Sequence, residues 1–207
     1  MKTLRLFMVA LAVLALQACS ALSYLTPRQF DPVEYGQSIS VVMDATRLAH
    51  NCSQRKDNPL YTRFVNDLNT DSMYLEEYVA HKKDNGDATS GAAQIRLMVL
   101  EFDKHETMST RYCLEKASDI QNAARTMSRT LGREGKYDYC KQDLAAAFNR
   151  LQDFHTKKEV SDDEFAELGS DMVRLGRVNV AACGLLDRER IETAISIIQK
   201  ILPLAGL

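Results

Sequence analysis

From residue 33 onward, apolar positions recur at three- and four-residue intervals, the signature of helices that each bury one stripe. Val33–Cys52 places Ile39, Val42, Met43, Thr46 and Ala49 on one face. Asn58 followed by Pro59 reads as an N-cap and a first helical residue, because proline lacks only an N–H that the helix start leaves unbonded anyway. Leu60–Lys83 then carries Tyr61, Phe64, Leu68, Leu75 and Tyr78, interrupted by Asp71. The run from Asp84 to Gly91 has the composition of a loop. Ala92–Leu131 reads as one long helical stretch through Ile95, Met98, Phe102, His105, Tyr112, Ile120, Ala124, Met127 and Leu131, with Thr107–Thr110 as its weak point.

Gly132 to Gly135 ends that stretch, and Tyr137–Thr156 follows with Cys140, Leu144, Ala147, Phe148, Leu151 and Phe154 inward. Ser161 and Glu164 have the spacing of a capping box. The helix behind them shows Phe165, Leu168, Met172, Leu175, Asn179, Ala182 and Leu186 as a heptad stripe. Gly184 and Asp187 suggest a break before a last helix, Arg188–Leu202, stopped by Pro203. No strand-like alternation of five residues or more stands out. The pattern predicts an all-α fold, an antiparallel helical bundle of five or six helices spanning 33–207 as a single domain.

The first 32 residues follow a different pattern. Lys2 and Arg5 precede an uncharged apolar run from Leu6 to Leu16, too short to span a bilayer and of the length of a signal-peptide core. It ends in Leu16-Gln17-Ala18-Cys19, which resembles the lipobox of bacterial lipoproteins. The resemblance implies cleavage by signal peptidase II before Cys19, with acyl chains on that cysteine as the membrane anchor. Residues 1–18 would then be the signal peptide and 19–32 the lipidated cysteine and a tether, in which Pro27 and Pro32 discourage helix. Ser20 after the cysteine, where aspartate is absent, resembles the pattern that sends such proteins to the outer membrane. Extended, the tether reaches ~40 Å at most.

Charge narrows the partners. With 26 Lys and Arg against 28 Asp and Glu, the chain has no positive surplus with which to neutralise phosphates, so no nucleic-acid partner is expected. Loss of Lys2 and Arg5 with the leader takes the formal charge from −2 to −4. The membrane contact therefore rests on the acyl chains rather than on attraction to anionic headgroups.

Five cysteines are present, and lipidation of Cys19 leaves four, an even number that favours two disulfides in an exported chain. In an up-and-down bundle at ~1.5 Å per residue, Cys52 and Cys113 lie at similar heights, as do Cys140 and Cys183. The expected pairs are Cys52–Cys113 and Cys140–Cys183.

Candidate chemistry is sparse. His50, His81, His105 and His155 form no i, i+3 or i, i+4 pair, Glu101 and His105 stand one residue too far apart for a di-iron motif, and no Cys–His pair has zinc spacing. No C-x-x-C, G-x-S-x-G or P-loop occurs. Neither a metal nor a cofactor nor an enzymatic activity is expected. Asp71 and Asn179 stand at core positions, where a polar residue more often sets helix register than performs catalysis. The C-terminal stretch is nearly uncharged, and Ile197 and Leu204 lie off its core stripe, which makes them the candidate partner surface. The expected role is a binding or scaffolding module for another envelope protein. A small-ligand-binding or immunity-type lipoprotein is the alternative, and a deep apolar pocket would favour it.

Overall fold

A computed structural model describes residues 31–54, 59–82, 86–102, 108–131 and 143–205. Among them are seven α-helices and no strand: α1 Pro32–Asn51, α2 Pro59–Ala80, α3 Gly86–Phe102, α4 Thr110–Leu131, α5 Leu144–Thr156, α6 Asp162–Ala182 and α7 Leu185–Ile201. Short 3-10 turns follow α1 at Cys52–Gln54 and α7 at Leu202–Ala205. The expected signal peptide, Cys19 and the expected tether up to residue 30 lie outside the described residues, as do Asn58, His105, Cys140 and the expected stop at Gly132–Gly135.

Several helix starts have a local cause. Asp31 caps α1, its carboxylate accepting the N–H groups of Val33 at 2.8 Å and Glu34 at 3.2 Å, so Pro32 opens the helix instead of closing the tether. Asp143 caps α5 through the Ala146 N–H at 3.0 Å, which starts the described helix later than the expected Tyr137. The capping box of α6 is complete: the Ser161 hydroxyl accepts the Glu164 N–H, and Glu164 accepts the Ser161 N–H at 2.9 Å.

Four sequence expectations are corrected. The stretch 92–131 holds two described helices, because Ser109 caps a separate helix that starts at Thr110; this raises the count to seven among the described residues. Helix α3 begins at Gly86, inside the expected loop, because Ala88, Gly91 and Ala92 present a small, buried face. A Cβ on Gly91 would already touch Met127 of α4 and Val178 of α6, so tertiary packing outweighs the weak helix propensity of this segment. On α1, Met43 is exposed and the buried stripe runs through Val41, Val42, Ala45 and Leu48, because α2 and α4 cover two sides of that helix. Finally, α7 starts at Leu185 rather than Arg188, which turns Leu186 out of the expected α6 stripe to 80% exposure.

Polar contacts give the helix directions. Tyr78 and Lys82, at the end of α2, bond Asp31 and Glu34 at the start of α1, so the two helices are antiparallel. Arg96 of α3 bonds the Asn69 carbonyl of α2 at 2.9 Å and Thr89 bonds that of Val79 at 3.3 Å, again antiparallel. The Cys52–Cys113 disulfide and the Gln121–Thr46 hydrogen bond set α4 antiparallel to α1. Helix α6 runs parallel to α4: Ser109 meets Glu164, Lys116 meets Asp171, and Thr126 donates to Asn179 at 3.0 Å. The core lies around α4, whose Tyr112, Cys113, Lys116, Ala117, Ile120, Ala123 and Ala124 are fully buried. Cys183 carries a disulfide, and its expected partner Cys140 lies outside the described residues.

Helix α7 seats on α6 through two glycines one heptad apart. A Cβ on Gly176 would stand 2.7 Å from Ile195 Cδ1 and Cγ1, and one on Gly169 2.9 Å from Leu202 Cδ1. Gly176→Ala is therefore expected to lower stability by about 1–2 kcal/mol through overpacking, although alanine is the better helix former. In an Ile195→Ala background, where Leu144 Cδ1 at 3.0 Å still crowds the new Cβ, the same change should cost clearly less, which urea melts of the four proteins will read.

Candidate functional site

Three places gather chemically capable side chains: a buried ionic cluster, a buried carboxyl pair and an open groove at one end. The cluster sits where α3, α4 and α6 meet. Lys116 on α4 is fully buried, with Nζ 2.7 Å from Glu167 Oε1, 2.7 Å from Asp171 Oδ2 and 3.3 Å from Glu101 Oε2. Arg174 grips Glu101 with both terminal nitrogens and reaches Asp171 at 3.1 Å. The Tyr112 hydroxyl donates to Glu167 at 2.6 Å. Burial opposes the Lys116 charge, but Asp171 and Glu167 hold its pKa above the ordinary lysine range. For Asp171, burial pushes the carboxyl up to about 6 against the pull of Lys116, so both members of the pair are charged at neutral pH.

Asp119, one turn beyond Lys116, is different. Its Oδ2 is buried without a hydrogen-bond partner, and burial, reinforced by Asp171 and Glu115, pushes its pKa well above the carboxylate range. A neutral carboxyl there leaves Lys116 and Arg174 facing Glu101, Glu167 and Asp171, two positive groups against three negative. Each of these charged groups is engaged by another, so the arrangement ties three helices together.

The second place is Asp44 on α1, only 4% exposed, hydrogen-bonded to Asp71 on α2. Burial, then the neighbouring Asp71 charge, pushes Asp44 up to about 6; Arg47, 3.0 Å away, pulls the other way. Asp71, read as a polar interruption in the α2 stripe, is thus one half of a carboxyl pair. Asn179 is the register residue that its position suggested, buried and bonded to Thr126.

The third place is an open groove of about 700 Å³ between the start of α4, the end of α5 and the start of α6. His155 Nε2 stands 2.7 Å from Asp162 Oδ1, and its ring stacks on Phe165 with 4.5 Å between centroids. Ser109 Oγ donates to Glu164 Oε2 at 3.1 Å and accepts the Tyr112 N–H at 3.0 Å, which makes it the cap of α4. Glu164 also accepts the Ser109 N–H at 2.6 Å, so one carboxylate closes two helix starts. Of the polar groups of the groove, Ser109, Ser161 and Glu164 serve as helix caps, while His155 pairs with Asp162 and Glu159 with Arg111. Among the described residues no group of three or more His, Cys, Asp or Glu has a metal-binding arrangement.

The outer face of α7 carries the expected surface residue. Ile197 is 46% exposed while Ile191 and Ile198 are buried. Leu204 lies in the closing 3-10 turn, and its side chain is outside the described set. Sequence reasoning missed Lys116, Asp119 and Asp44, since a charged residue within a helix reads as solvated unless its neighbours are known.

Two outcomes follow. Lys116→Met should cost about 3–5 kcal/mol, because it leaves the buried Asp171 with Arg174 alone and takes the Lys116 cation from the half-buried Glu167; chemical denaturation measures it. For the carboxyl pair, Asp44 has a folded pKa above its unfolded one, so its unfavourable contribution is absent below about pH 4 and grows as pH rises to about 6. Asp44→Asn should leave stability unchanged at pH 4 and raise it by roughly 1–3 kcal/mol at pH 7, read as a pH-dependent difference in melting temperature.

No protein family model, curated protein or solved structure matches the chain.

Proposed function

We propose that the chain is a lipid-anchored helical module of the bacterial outer membrane, facing the periplasm, that docks another envelope protein. The anchor follows from the resemblance of Leu16–Cys19 to a lipobox. The observation that carries the docking role is Ile197, a large apolar side chain turned outward on α7 while the two glycines of α6 hold that helix in place. A rigidly seated helix presents such a side chain at little entropic cost to binding. The groove at the end of the bundle supports a small ligand less well, since it is open and its His155, Asp162, Ser109 and Glu164 are occupied with one another. The reading assigns no catalytic step. It includes a second bridge, Cys140–Cys183, which non-reducing peptide mapping would show as a linked peptide.

Two variants test it. Cys19→Ala should abolish metabolic labelling with palmitate and release the domain from the membrane fraction; unchanged labelling would sink the anchor. Ile197→Lys should reduce recovery of the envelope protein that co-purifies with the wild type, while stability moves by no more than about 0.5 kcal/mol, as at other surface sites. A large drop in melting temperature would instead make Ile197 part of the core.

A further inference from the structure

The helix directions sort the exposed apolar side chains by the end of the bundle at which they stand. Asp31, where the chain joins the bundle, opens α1. Helix α4 is antiparallel to α1 and α6 is parallel to α4, so the end of α6 and the start of α7 lie at that same end. Three of the exposed large apolar side chains stand there: Val33 at 48%, and Leu185 and Leu186 at 80% each, the two most exposed among the described residues. Gly184 leads directly into Leu185 with extended backbone and no side-chain cap, so the leucine pair forms the outer corner of the α6–α7 turn.

We infer that this end of the bundle rests on the lipid surface, with Leu185 and Leu186 dipping into the headgroup–acyl boundary. The inference rests on the anchor proposed above. A chain of about a dozen residues between Cys19 and Asp31 cannot let this end move more than ~40 Å from the acylated cysteine, and adjacent leucines at a helix corner suit shallow insertion. The contact is made by the leucine pair and not by charge, since 26 basic against 28 acidic residues leave no positive surplus for anionic headgroups. Acyl chains alone would hold the protein without orienting it. The leucine corner adds the second contact, which stands the bundle on end and turns the side of α7, with Ile197, toward the periplasm.

The chain contains no Trp, so one introduced residue reports its own surroundings. The acylated full chain carrying Leu186→Trp, and separately Leu185→Trp, is incorporated into phosphatidylethanolamine–phosphatidylglycerol vesicles with or without brominated acyl chains. Leu100→Trp is the control: this residue of α3 is 43% exposed and lies ~20 Å along the helix from the lipid-facing end. The expected result is flotation of all three proteins, with blue-shifted emission for the α7 variants that brominated lipid quenches at least twofold more than it quenches the control. Flotation with α7 emission no different from the control overturns the end-on contact and leaves the anchor standing. Blue-shifted emission that ignores brominated lipid overturns it too, since protein would then cover the corner. Failure to float overturns the anchor, and the contact with it.

Discussion

Lys116 places a positive charge at the centre of the bundle, and three helices are arranged as its neutralisation requires. An isolated ammonium group away from water would cost several kcal/mol or lose its proton. Glu167 and Asp171 come from α6, and Glu101 comes from α3, whose carboxylate Arg174 of α6 also holds. Shifting α6 by one turn against α4 would pull Asp171 away from Lys116 and, two turns further on, Asn179 away from Thr126. Apolar packing alone tolerates such slips better than an ion pair in a low-dielectric site. The parallel register of α4 and α6 therefore depends on charge as much as on shape.

That register has consequences at both ends. At one, it brings Glu164 to the start of α4, where the carboxylate takes the Ser109 N–H and hydroxyl while still completing the capping box of α6. Two helix starts, each with orphan N–H groups, share one acceptor. At the other, it sets where α6 stops and α7 turns back along the Gly169 and Gly176 notches. The orientation of Ile197, and the exposure of Leu185 and Leu186, descend from this seating.

The candidate surface was partly legible. Ile197 lay off the apolar stripe of the last helix, and a residue off the stripe of a peripheral helix points away from the bundle. Leu186 was misread because it keeps the α6 spacing beyond Gly184, where the sequence suggests a break, so a stripe drawn by spacing alone places Leu186 inward. The backbone turns there, and the register is lost within two residues. Asp44 and Lys116 gave no signal, since charge burial depends on what another helix brings alongside.

Alone, the sequence determined the all-helical class, most helix positions, the start at Pro59 and the capping box, because these depend on contacts within about four residues; Pro32, read as part of a tether, instead opens α1. It also marked Thr107–Thr110 as weak and Cys52 and Cys113 as partners at matching height. Only the tertiary structure decided that the chain turns between α3 and α4, that α4 and α6 run parallel, and that a lysine lies in the core. Those outcomes hinge on pairings between residues dozens of positions apart, such as Lys116 with Asp171 and Gly176 with Ile195, whose energies no local pattern encodes.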